Sequence, residues 1–335
     1  MKQYAQSEPI DFVVPWVDGS DPEWHEARSA YQSDAGIDAD DRDFRYRDWG
    51  IFKYWFRSVE TYAPWVNRIH LVTSGHVPSW LDRKHPKLHL VKHEDYIPQK
   101  YLPTFSSHTI ELNMHRIHGL SRKFVYFNDD IFLSNNVSPD LYFRGDLPTD
   151  AAIMNALNGS GFSLILMNDI RIVNRMFSKR KAIRDSPRRW FTFKYGAQGI
   201  RNLLLLPWQL HTGFSSLHMP NSYLKSTLER VWEAAPDELD ATCRRRFRSD
   251  HDVNQYLFRY WQLAVNGFHP VAKQRHGAMI KLGIDPVSDV LRGIRHSHKP
   301  HLCLNDHAET IDDVDMDRIR AEMETRYPTK SRFEI

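Results

Sequence analysis

Two adjacent acids, Asp129 and Asp130, directly follow an apolar stretch over residues 123–127 that contains β-branched and aromatic side chains. Such a stretch is typical of a buried strand, so the sequence predicts a strand that delivers two carboxylates at its end. In α/β sheets, ligands bind outside the carboxyl ends of the strands, and paired carboxylates there suit a hard divalent cation such as Mg²⁺. A simple turn stabilised by Asn128 and the two Asp side chains is the alternative interpretation.

Three further residues, Glu111, His218 and Arg248, could do chemistry, and each has an ordinary structural alternative. Glu111 lies in a predicted helix and by default would be a surface glutamate. His218 precedes a predicted helix start, where backbone donors attract an anion and an imidazole can exchange a proton. Arg248 ends the basic run 244–248 and precedes helix-capping acids, so a cation and carboxylates meet at one turn. An isolated His is often structural, and a basic run is usually a solvated face.

Alternating strand and helix patterns in the first half of the chain would position these residues. Apolar runs predict strands at 10–17, 68–74, 88–93 and 123–128, and helical spacing predicts helices at 48–62 and 107–118. This alternation predicts a largely parallel sheet, so the acid-bearing turns after the first and fourth strands would share one edge. Beyond residue 151 the pattern predicts longer helical segments at 163–183, 197–205, 221–234 and 251–264.

The composition is that of an ordinary soluble globular protein. Of 335 residues, 41% are hydrophobic and 26% are charged, and the net charge of +3 does not indicate a nucleic-acid partner. The two cysteines, Cys243 and Cys303, form no metal knuckle or redox motif, and this fits a reducing compartment. The N-terminus lacks the apolar core of a signal peptide, and no run reaches 18 apolar residues. We therefore expect a cytoplasmic protein, with any membrane contact peripheral and at the inner face.

Four blocks of the sequence resemble the four regions of the Stealth family of sugar-1-phosphate transferases. These blocks span residues 10–22, 44–133, 218–220 and 247–254, in the order of the family. The second block is long and specific, and it includes Ser58-Val-Glu-Thr-Tyr-Ala-Pro-Trp65 and His70-Leu-Val-Thr-Ser-Gly75. The family includes bacterial capsule polymerases and the catalytic part of the lysosomal-enzyme N-acetylglucosamine-1-phosphotransferase.

The resemblance implies an active site and a fold. The implied catalytic positions are Glu111, Asp130, His218 and Arg248, and Asp129 or Asp130 is expected to face the metal. The residues expected to bind substrate are Trp16, Asp18, Asp21, Arg47, Asp48, Arg116 and Asn128. The implied fold is a glycosyltransferase-A-like, Rossmann-type α/β fold with a mostly parallel sheet and helical insertions. We expect one catalytic domain over 8–300, with an α/β core at 10–150, a mainly helical part at 151–265 and a C-terminal tail at 301–335.

The implied reaction moves a sugar-1-phosphate from a nucleotide diphosphate sugar, commonly UDP-N-acetylglucosamine, to a hydroxyl of a polysaccharide or glycan acceptor, and UMP leaves. Such a step needs an in-line hydroxyl, Mg²⁺ or Mn²⁺ across the diphosphate, and cations on the phosphoryl oxygens. Two alternatives stay open from the residues alone. A conventional metal-dependent glycosyltransferase would release UDP, and a cation-dependent carbohydrate-binding module would bind sugar without turnover.

Each candidate residue has an expected role in this reaction. Asp129 and Asp130 would hold the metal and the diphosphate, and Arg248 would stabilise the charge of the phosphoryl group. His218 would transfer a proton or donate a hydrogen bond to the phosphate. Glu111 would act either as a base toward the acceptor or as a group that orients sugar hydroxyls.

Overall fold

The computed structural model describes residues 8–32, 39–40, 46–307 and 312–335. Its strands are β1 (Ile10–Pro15), β2 (Ala39–Asp40), β3 (Ile69–Thr73), β4 (Leu88–Lys92), β5 (Lys123–Tyr126), β6 (Ile131–Leu133), β7 (Phe143–Arg144), β8 (Leu147–Asp150), β9 (Asn221–Leu224), β10 (Arg248–Ser249), β11 (His269–Pro270), β12 (Gly277–Leu282) and β13 (His301–Asp306). Phe44 and Arg45, which begin the second block of the resemblance, lie outside the described residues.

The helices are α1 (Pro22–Gln32), α2 (Phe52–Tyr62), α3 (His93–Tyr96), α4 (Ser107–Leu112), α5 (Phe162–Met176), α6 (Lys179–Asp185), α7 (Pro187–Trp190), α8 (Ile200–Leu204), α9 (Lys225–Ala234), α10 (Pro236–Cys243), α11 (Tyr256–Ala264), α12 (Val287–His296) and α13 (Asp313–Arg326). Short 3₁₀ helices lie at Gln99–Tyr101, Met114–Arg116, Pro139–Leu141, Phe193–Gly199 and Lys273–Arg275. No helix in the described ranges is both long and apolar enough to cross a membrane.

The central sheet has the strand order β4-β3-β1-β5-β9, and its neighbouring strands are parallel except for β5 and β9. β1 lies in the middle because it is apolar and is covered on both faces of the sheet. Phe12 and Val14 pack into a core that includes α2, while Val13 packs into a second core that includes α9 and α11. The predicted α/β class and the four predicted strands are confirmed.

The carboxyl ends of β1 and β5 lie side by side, because the two strands are neighbours and run parallel, with Phe12 opposite Val125. The turns 16–21 and 127–130 therefore leave the sheet at one end, as the sequence predicts. We call this end the carboxyl edge and the opposite end the amino edge.

The end of the chain is part of the folded core. β13 is the middle strand of a second sheet with order β12-β13-β6, parallel to β12 and antiparallel to β6. Ile319 and Met323 of α13 belong to the same apolar core as Phe56 of α2. Residues 301–335, which the sequence analysis set apart as a C-terminal tail, thus contribute a strand and a helix to the fold.

The second half of the chain is mainly helical, but one predicted helix starts later than expected. Asn221–Leu224 forms β9, which pairs antiparallel with β5, and α9 begins only at Lys225. The prediction of a helix from residue 221 was wrong, because pairing with β5 decides the conformation of these four residues. The predicted helix at 251–264 likewise begins at Tyr256, and the one at 107–118 ends at Leu112 before a 3₁₀ turn.

Candidate active site

Asp130 and His218 form a hydrogen-bonded pair at the carboxyl edge. Nε2 of His218 lies 3.0 Å from Oδ2 and 3.3 Å from Oδ1 of Asp130. The same Oδ2 accepts a hydrogen bond from the Asn305 amide at 2.9 Å and lies 3.5 Å from Sγ of Cys303. The main-chain oxygen of Asp130 accepts from the N–H of Leu304 at 2.9 Å. β13 therefore fixes the Asp130 carboxylate from one side, and His218 meets it from the other.

Each member of this pair favours the charged form of its partner. Burial alone would raise the pKa of the Asp130 carboxyl, but the charge of His218 and the hydrogen bonds from His218, Asn305 and Cys303 hold that pKa below its usual value. Burial alone would lower the pKa of His218, but the Asp130 carboxylate raises it above the ordinary 6.5. Nδ1 of His218 has no hydrogen-bond partner in the described part of the chain, and 33% of the side chain is exposed. The pair thus presents one free ring nitrogen.

Asp129 adds a carboxylate that forms no ion pair with a described residue. No described side chain donates a hydrogen bond to it, and burial together with the charges of Asp130 and Asp48 raises the pKa of Asp129 to about 7. Burial also raises the pKa of Asp48, and the charge of Asp18 adds to that rise. Carboxylates that disfavour one another's ionisation in this way suit a bound divalent cation, which reverses the local electrostatics.

Gly19 lets the turn after β1 reach the segment that carries Asp48. A Cβ at Gly19 would lie 2.1 Å from the carbonyl oxygen of Tyr46, so the backbone can pass only if the residue is glycine. Oδ1 of Asp18 accepts from the Ser20 N–H at 2.9 Å and from its hydroxyl at 2.6 Å. Asp48 likewise accepts one main-chain N–H with Oδ1, at 2.8 Å. Within the described residues, neither Oδ2 atom has a hydrogen bond of standard geometry, and the Trp16 indole N–H lies beside the Asp48 carboxylate.

A closed metal-ligand set occurs once among the described residues, where atoms of Asp130, His218 and Cys303 lie within 4.8 Å of one another. Burial and the Asp130 charge raise the pKa of the Cys303 thiol well above its ordinary value, and thiolate sulfur is a ligand of softer metals than Mg²⁺. Mg²⁺ prefers carboxylate oxygens and completes its shell with water and substrate phosphates. Asp129 and Asp48, the charge of one acting on the other, supply carboxylate oxygens of this preferred kind at the carboxyl edge.

Arg248 brings a positive charge to this edge. It lies in β10, which pairs with β2, and not at the helix start that the sequence predicted. No carboxylate in the described ranges forms an ion pair with its guanidinium, and the residue as a whole is half-buried. Burial raises the pKa of the Tyr126 phenol and the charge of Arg248 opposes that rise, so the guanidinium lies within electrostatic range of the end of β5. An unpaired, half-buried arginine is typical of a site for phosphate or carboxylate.

Glu111 is buried below this cluster and is not on the surface, since only 5% of it is exposed. Its Oε1 accepts from the Tyr126 hydroxyl at 3.0 Å, and its Oε2 accepts from the N–H of Gln255 at 3.3 Å. Its negative charge also acts on His218. Glu111 therefore ties the end of β5 to the turn that leads into α11.

Three other predicted binding residues lie in the turns of the carboxyl edge. Trp16 is 6% exposed and stacks on Phe52 at 5.7 Å, and its indole N–H lies beside Asp48 without a hydrogen bond of standard geometry. Asp21 caps α1 by accepting a main-chain N–H of its first turn at 2.8 Å. Asn128 begins the acid turn, and its main-chain oxygen accepts from the N–H three residues later at 3.2 Å. Asp21 is therefore engaged in local structure, whereas Asn128 and Trp16 border the acids.

Arg116 is the predicted site residue that lies elsewhere. Its Nε donates to Oδ1 of Asn113 at 3.1 Å, and its guanidinium lies 5.0 Å from the Trp232 ring of α9. The adjacent His115 feels the charge of Lys225, which begins α9 beside the amino end of β5. Arg116 thus belongs to the amino edge.

The sequence analysis missed the residues at the end of β13. Asn305 holds the carboxylate of the His–Asp pair, and Asp306 forms an ion pair with Arg47 at 3.4 Å and accepts from the Trp49 indole at 3.0 Å. A signal was present, because β13 is an apolar run that ends in Asn-Asp, the pattern that marked β5. Arg47, the neighbour of Asp48 in the sequence, is therefore held by the end of β13.

Comparison with known proteins identifies relatives along the whole chain. Residues 8–34 match conserved region 1 of Stealth proteins, and residues 45–150 match conserved region 2. Capsular polysaccharide phosphotransferase WcwK of Streptococcus pneumoniae is 41% identical over 98% of this chain and 98% of its own. Exopolysaccharide phosphotransferase cps2G of Lactiplantibacillus plantarum is 39% identical over 97% of this chain and 96% of its own. The solved galactosyltransferase LgtC matches with a TM-score of 0.42 and 12% identity over 94% of this chain and 95% of its own, a likeness too distant to bear on activity.

Proposed function

The chain belongs to the Stealth family, and we propose that it transfers a sugar-1-phosphate from a UDP-sugar to a hydroxyl of a growing surface polysaccharide. Relatives at about 40% identity are named phosphotransferases of capsular polysaccharide and exopolysaccharide, and this supports a phosphotransferase role in polysaccharide synthesis. UDP-N-acetylglucosamine is the donor that we propose, and UMP is the leaving group. The proposed location is the cytoplasm, since the substrate is a nucleotide sugar.

The observation that carries this proposal is an open His218–Asp130 pair together with Arg248, a cation without an ion pair in the described ranges whose charge acts on Tyr126 at the end of β5. Phosphoryl transfer asks little covalent chemistry of the protein, but it needs positive charge at the phosphoryl oxygens and a correctly placed hydroxyl. The guanidinium supplies the charge, and the free Nδ1 of the imidazole can receive the hydroxyl proton. Both requirements of the reaction are therefore available at one edge.

In the proposed step, Nδ1 of His218 takes the proton of the acceptor hydroxyl while the acceptor oxygen attacks the sugar-bearing phosphorus of the donor. The bond between that phosphorus and the bridging oxygen breaks, and UMP leaves with that oxygen. Asp130 holds the imidazole through Nε2 and stabilises its charged form. Arg248 offsets the charge of the phosphoryl oxygens as the bonds change. The bond between the sugar C1 and its oxygen stays intact, so donor and product share anomeric configuration.

Asp129, together with Asp48, would hold Mg²⁺ or Mn²⁺, and the cation would supply neutralising charge to the diphosphate. We assign Asp130 to His218 and not to the cation, because both of its carboxylate oxygens already face the imidazole and one also binds Asn305. Trp16, Asn128 and Arg47 would border the nucleotide.

Glu111 receives an orienting role in this proposal. Both of its oxygens accept hydrogen bonds inside the protein and its side chain is buried, so it is poorly placed to receive a proton from the acceptor. It would instead hold the Tyr126 hydroxyl and the turn before α11 in the geometry that the site requires.

The experiment that tests this function identifies the nucleotide product. The protein would be incubated with UDP-N-acetylglucosamine and other UDP-sugars, Mg²⁺ and a polysaccharide acceptor, and the released nucleotide identified by mass spectrometry. We expect UMP, together with a phosphodiester signal in the phosphorus-31 spectrum of the product. UDP as the sole nucleotide, with no phosphorus in the product, would identify a conventional glycosyltransferase. Sugar binding without any nucleotide release would identify a binding module.

A further inference from the structure

Residues 179–210, which we name the basic–apolar segment, expose an unusual number of large apolar side chains. The segment comprises α6, α7, the 3₁₀ helix Phe193–Gly199, α8 and the turns that follow. Six of its apolar side chains are more than half exposed: Phe193, Ile200, Leu203, Leu204, Trp208 and Leu210. Apolar groups exposed together in this way mark interaction surfaces, whereas single exposed ones need no explanation.

The same segment is strongly basic. It contains eight Lys and Arg and one Asp, a net charge of +7, whereas the whole chain carries +3, so the remainder of the chain is net negative. Lys179 is buried, and its Nζ donates to the main-chain oxygens of Leu205 and Trp208, each at 2.6 Å. These hydrogen bonds hold α6 against the turn that contains Leu205 and Trp208. Arg180 and Arg184 of α6 are exposed, so the basic and the apolar side chains are exposed on one segment.

We propose that the basic–apolar segment docks the protein onto an anionic lipid membrane surface. Anionic headgroups attract Lys and Arg, and the interfacial layer below them accepts Leu, Ile, Phe and Trp side chains. A second copy of this chain would bring the same +7 charge against it and be repelled. A nucleic acid would match the charge but leave the apolar side chains unsatisfied. The bilayer is the partner that matches both properties of the surface.

Docking at this segment would hold the candidate active site close to the membrane. Leu210 and His218 are separated by residues 211–217, so the chain between them spans at most about 30 Å. The main chain of this connection is also anchored, because Ser215 donates to the oxygen of Ile153 at 2.8 Å. The docking itself does not depend on the proposed function.

The test is flotation of the purified full-length protein with lipid vesicles. We expect the protein to float with vesicles that contain phosphatidylglycerol, to float much less with pure phosphatidylcholine, and to dissociate as salt screens the headgroup charge. Replacing Arg180, Arg184 and Arg188 by Gln should weaken binding about a hundredfold, at about fivefold for each basic group. A control with Arg83, Lys84 and Arg230 replaced by Gln makes the same change in net charge on other exposed positions, and it should bind like the parent.

A second set of variants tests the apolar side chains. Leu203→Ser with Leu204→Ser should lower vesicle affinity at least about tenfold, because these groups enter the interfacial layer. The matched control is Ile284→Ser with Val314→Ser, which are 61% and 64% exposed elsewhere on the surface. Failure of the parent protein to float, or an equal loss in the two sets of variants, would overturn the proposal. A dimer in sedimentation that the Leu203 and Leu204 variants dissociate, without vesicle binding, would show that this face joins two copies of the chain.

Discussion

Each end of the central sheet carries a histidine–aspartate pair, and the two pairs differ in what their surroundings leave open. At the amino edge, Nε2 of His70 lies 3.0 Å from Oδ2 of Asp11, and both side chains have 0% exposure. At the carboxyl edge, His218 and Asp130 are joined at the same distance, 3.0 Å, and are 33% and 21% exposed. The same two side chains at the same separation thus occur in a closed and in an open setting.

The closed pair has its polar atoms satisfied inside the protein. Asp11 also accepts from the Asn67 amide at 2.7 Å and from the N–H of Ser121 at 2.8 Å, and Nδ1 of His70 lies 2.8 Å from Nδ1 of His89. The polar atoms of Asp11 and His70 are therefore not available to bind a substrate. A His–Asp contact therefore does not by itself indicate catalysis, and the free ring nitrogen of the open pair is the feature that does.

The strongest test of the difference between the two pairs is to remove the imidazole of the open pair. His218→Ala should lower kcat by about a thousandfold, because the acceptor hydroxyl loses its proton acceptor. The thermal midpoint should change little, since the side chain is partly exposed. Steady-state kinetics with a nucleotide-release assay measures the effect, and His298→Ala, at an exposed histidine, is the control. A protein that keeps kcat and loses only substrate affinity would make His218 a binding residue.

Removing the unpaired cation of the carboxyl edge should have the next largest effect. Arg248→Gln should lower kcat by about a hundredfold, the scale expected when one charge-stabilising donor is lost from a site. Arg248→Lys should recover part of the activity, because it restores the charge but not the paired donors of a guanidinium. The control is Arg83→Gln, at an exposed arginine. If Arg248→Gln turns over at the parental rate, the phosphoryl group is stabilised by other residues.

The roles of Asp129 and Asp130 can be distinguished by how a substitution at each position changes the Mg²⁺ concentration that activity requires. Asp129→Asn should raise the Mg²⁺ concentration for half-maximal activity at least about tenfold, because the variant loses an open anionic ligand. Asp130→Asn should instead lower kcat and leave that concentration unchanged, since its carboxylate serves His218. Activity would be titrated with Mg²⁺ after treatment with EDTA. The same shift in both variants would mean that both acids hold the cation.

The smallest effect on activity is expected at the closed pair. Asp11→Asn should change kcat less than about twofold while it lowers the free energy of unfolding by about 2 kcal/mol, because buried donors lose a charged acceptor. Burial opposes ionisation of Asp11, but hydrogen bonds from His70, Asn67 and Ser121 lower the pKa of its carboxyl below the unfolded 3.8. The carboxylate therefore stabilises the fold above that value, and this contribution is lost as the pH falls through the lower folded-state pKa.

Urea unfolding of the parent and Asp11→Asn proteins measures this difference. The gap between them should be full near neutral pH and should close below about pH 4. Asp140→Asn, at an exposed position, should match the parent at every pH. A large loss of kcat in the folded Asp11→Asn protein would contradict the assignment of the His70–Asp11 pair to structure and of the His218–Asp130 pair to catalysis.

The central sheet and the acid turn were predictable because their signals are local. β1 and β5 are continuous apolar runs that end in polar turns, and the alternation of strands and helices predicts that their carboxyl ends meet. One site that contains Asp129, Asp130, His218 and Arg248 was an expectation of the family resemblance. In the fold, His218 hydrogen-bonds to Asp130, and the charge of Arg248 acts on Tyr126 at the end of β5.

Other parts of the site could not be predicted, because long-range pairing decides them. The four residues of β9 carry no strong local strand signal and become a strand through β5. Likewise, the apolar run of β13 is itself a strand signal, but its place between β6 and β12 depends on long-range pairing. Asn305 hydrogen-bonds to Asp130 across 175 positions, and no local pattern predicts a contact of that separation.

The distance in sequence between Asp130 and Asn305 also determines when a newly synthesised chain can complete its candidate active site. A ribosome adds about 5–20 residues per second. Asn305 lies 175 positions after Asp130, so it is synthesised roughly 10–35 seconds later. Until then, the acid turn lacks the strand that holds its carboxylate, and the second sheet lacks its middle strand. A nascent chain with its acid turn, His218 and Arg248 already outside the ribosome therefore still lacks the strand whose Asn305 holds the Asp130 carboxylate.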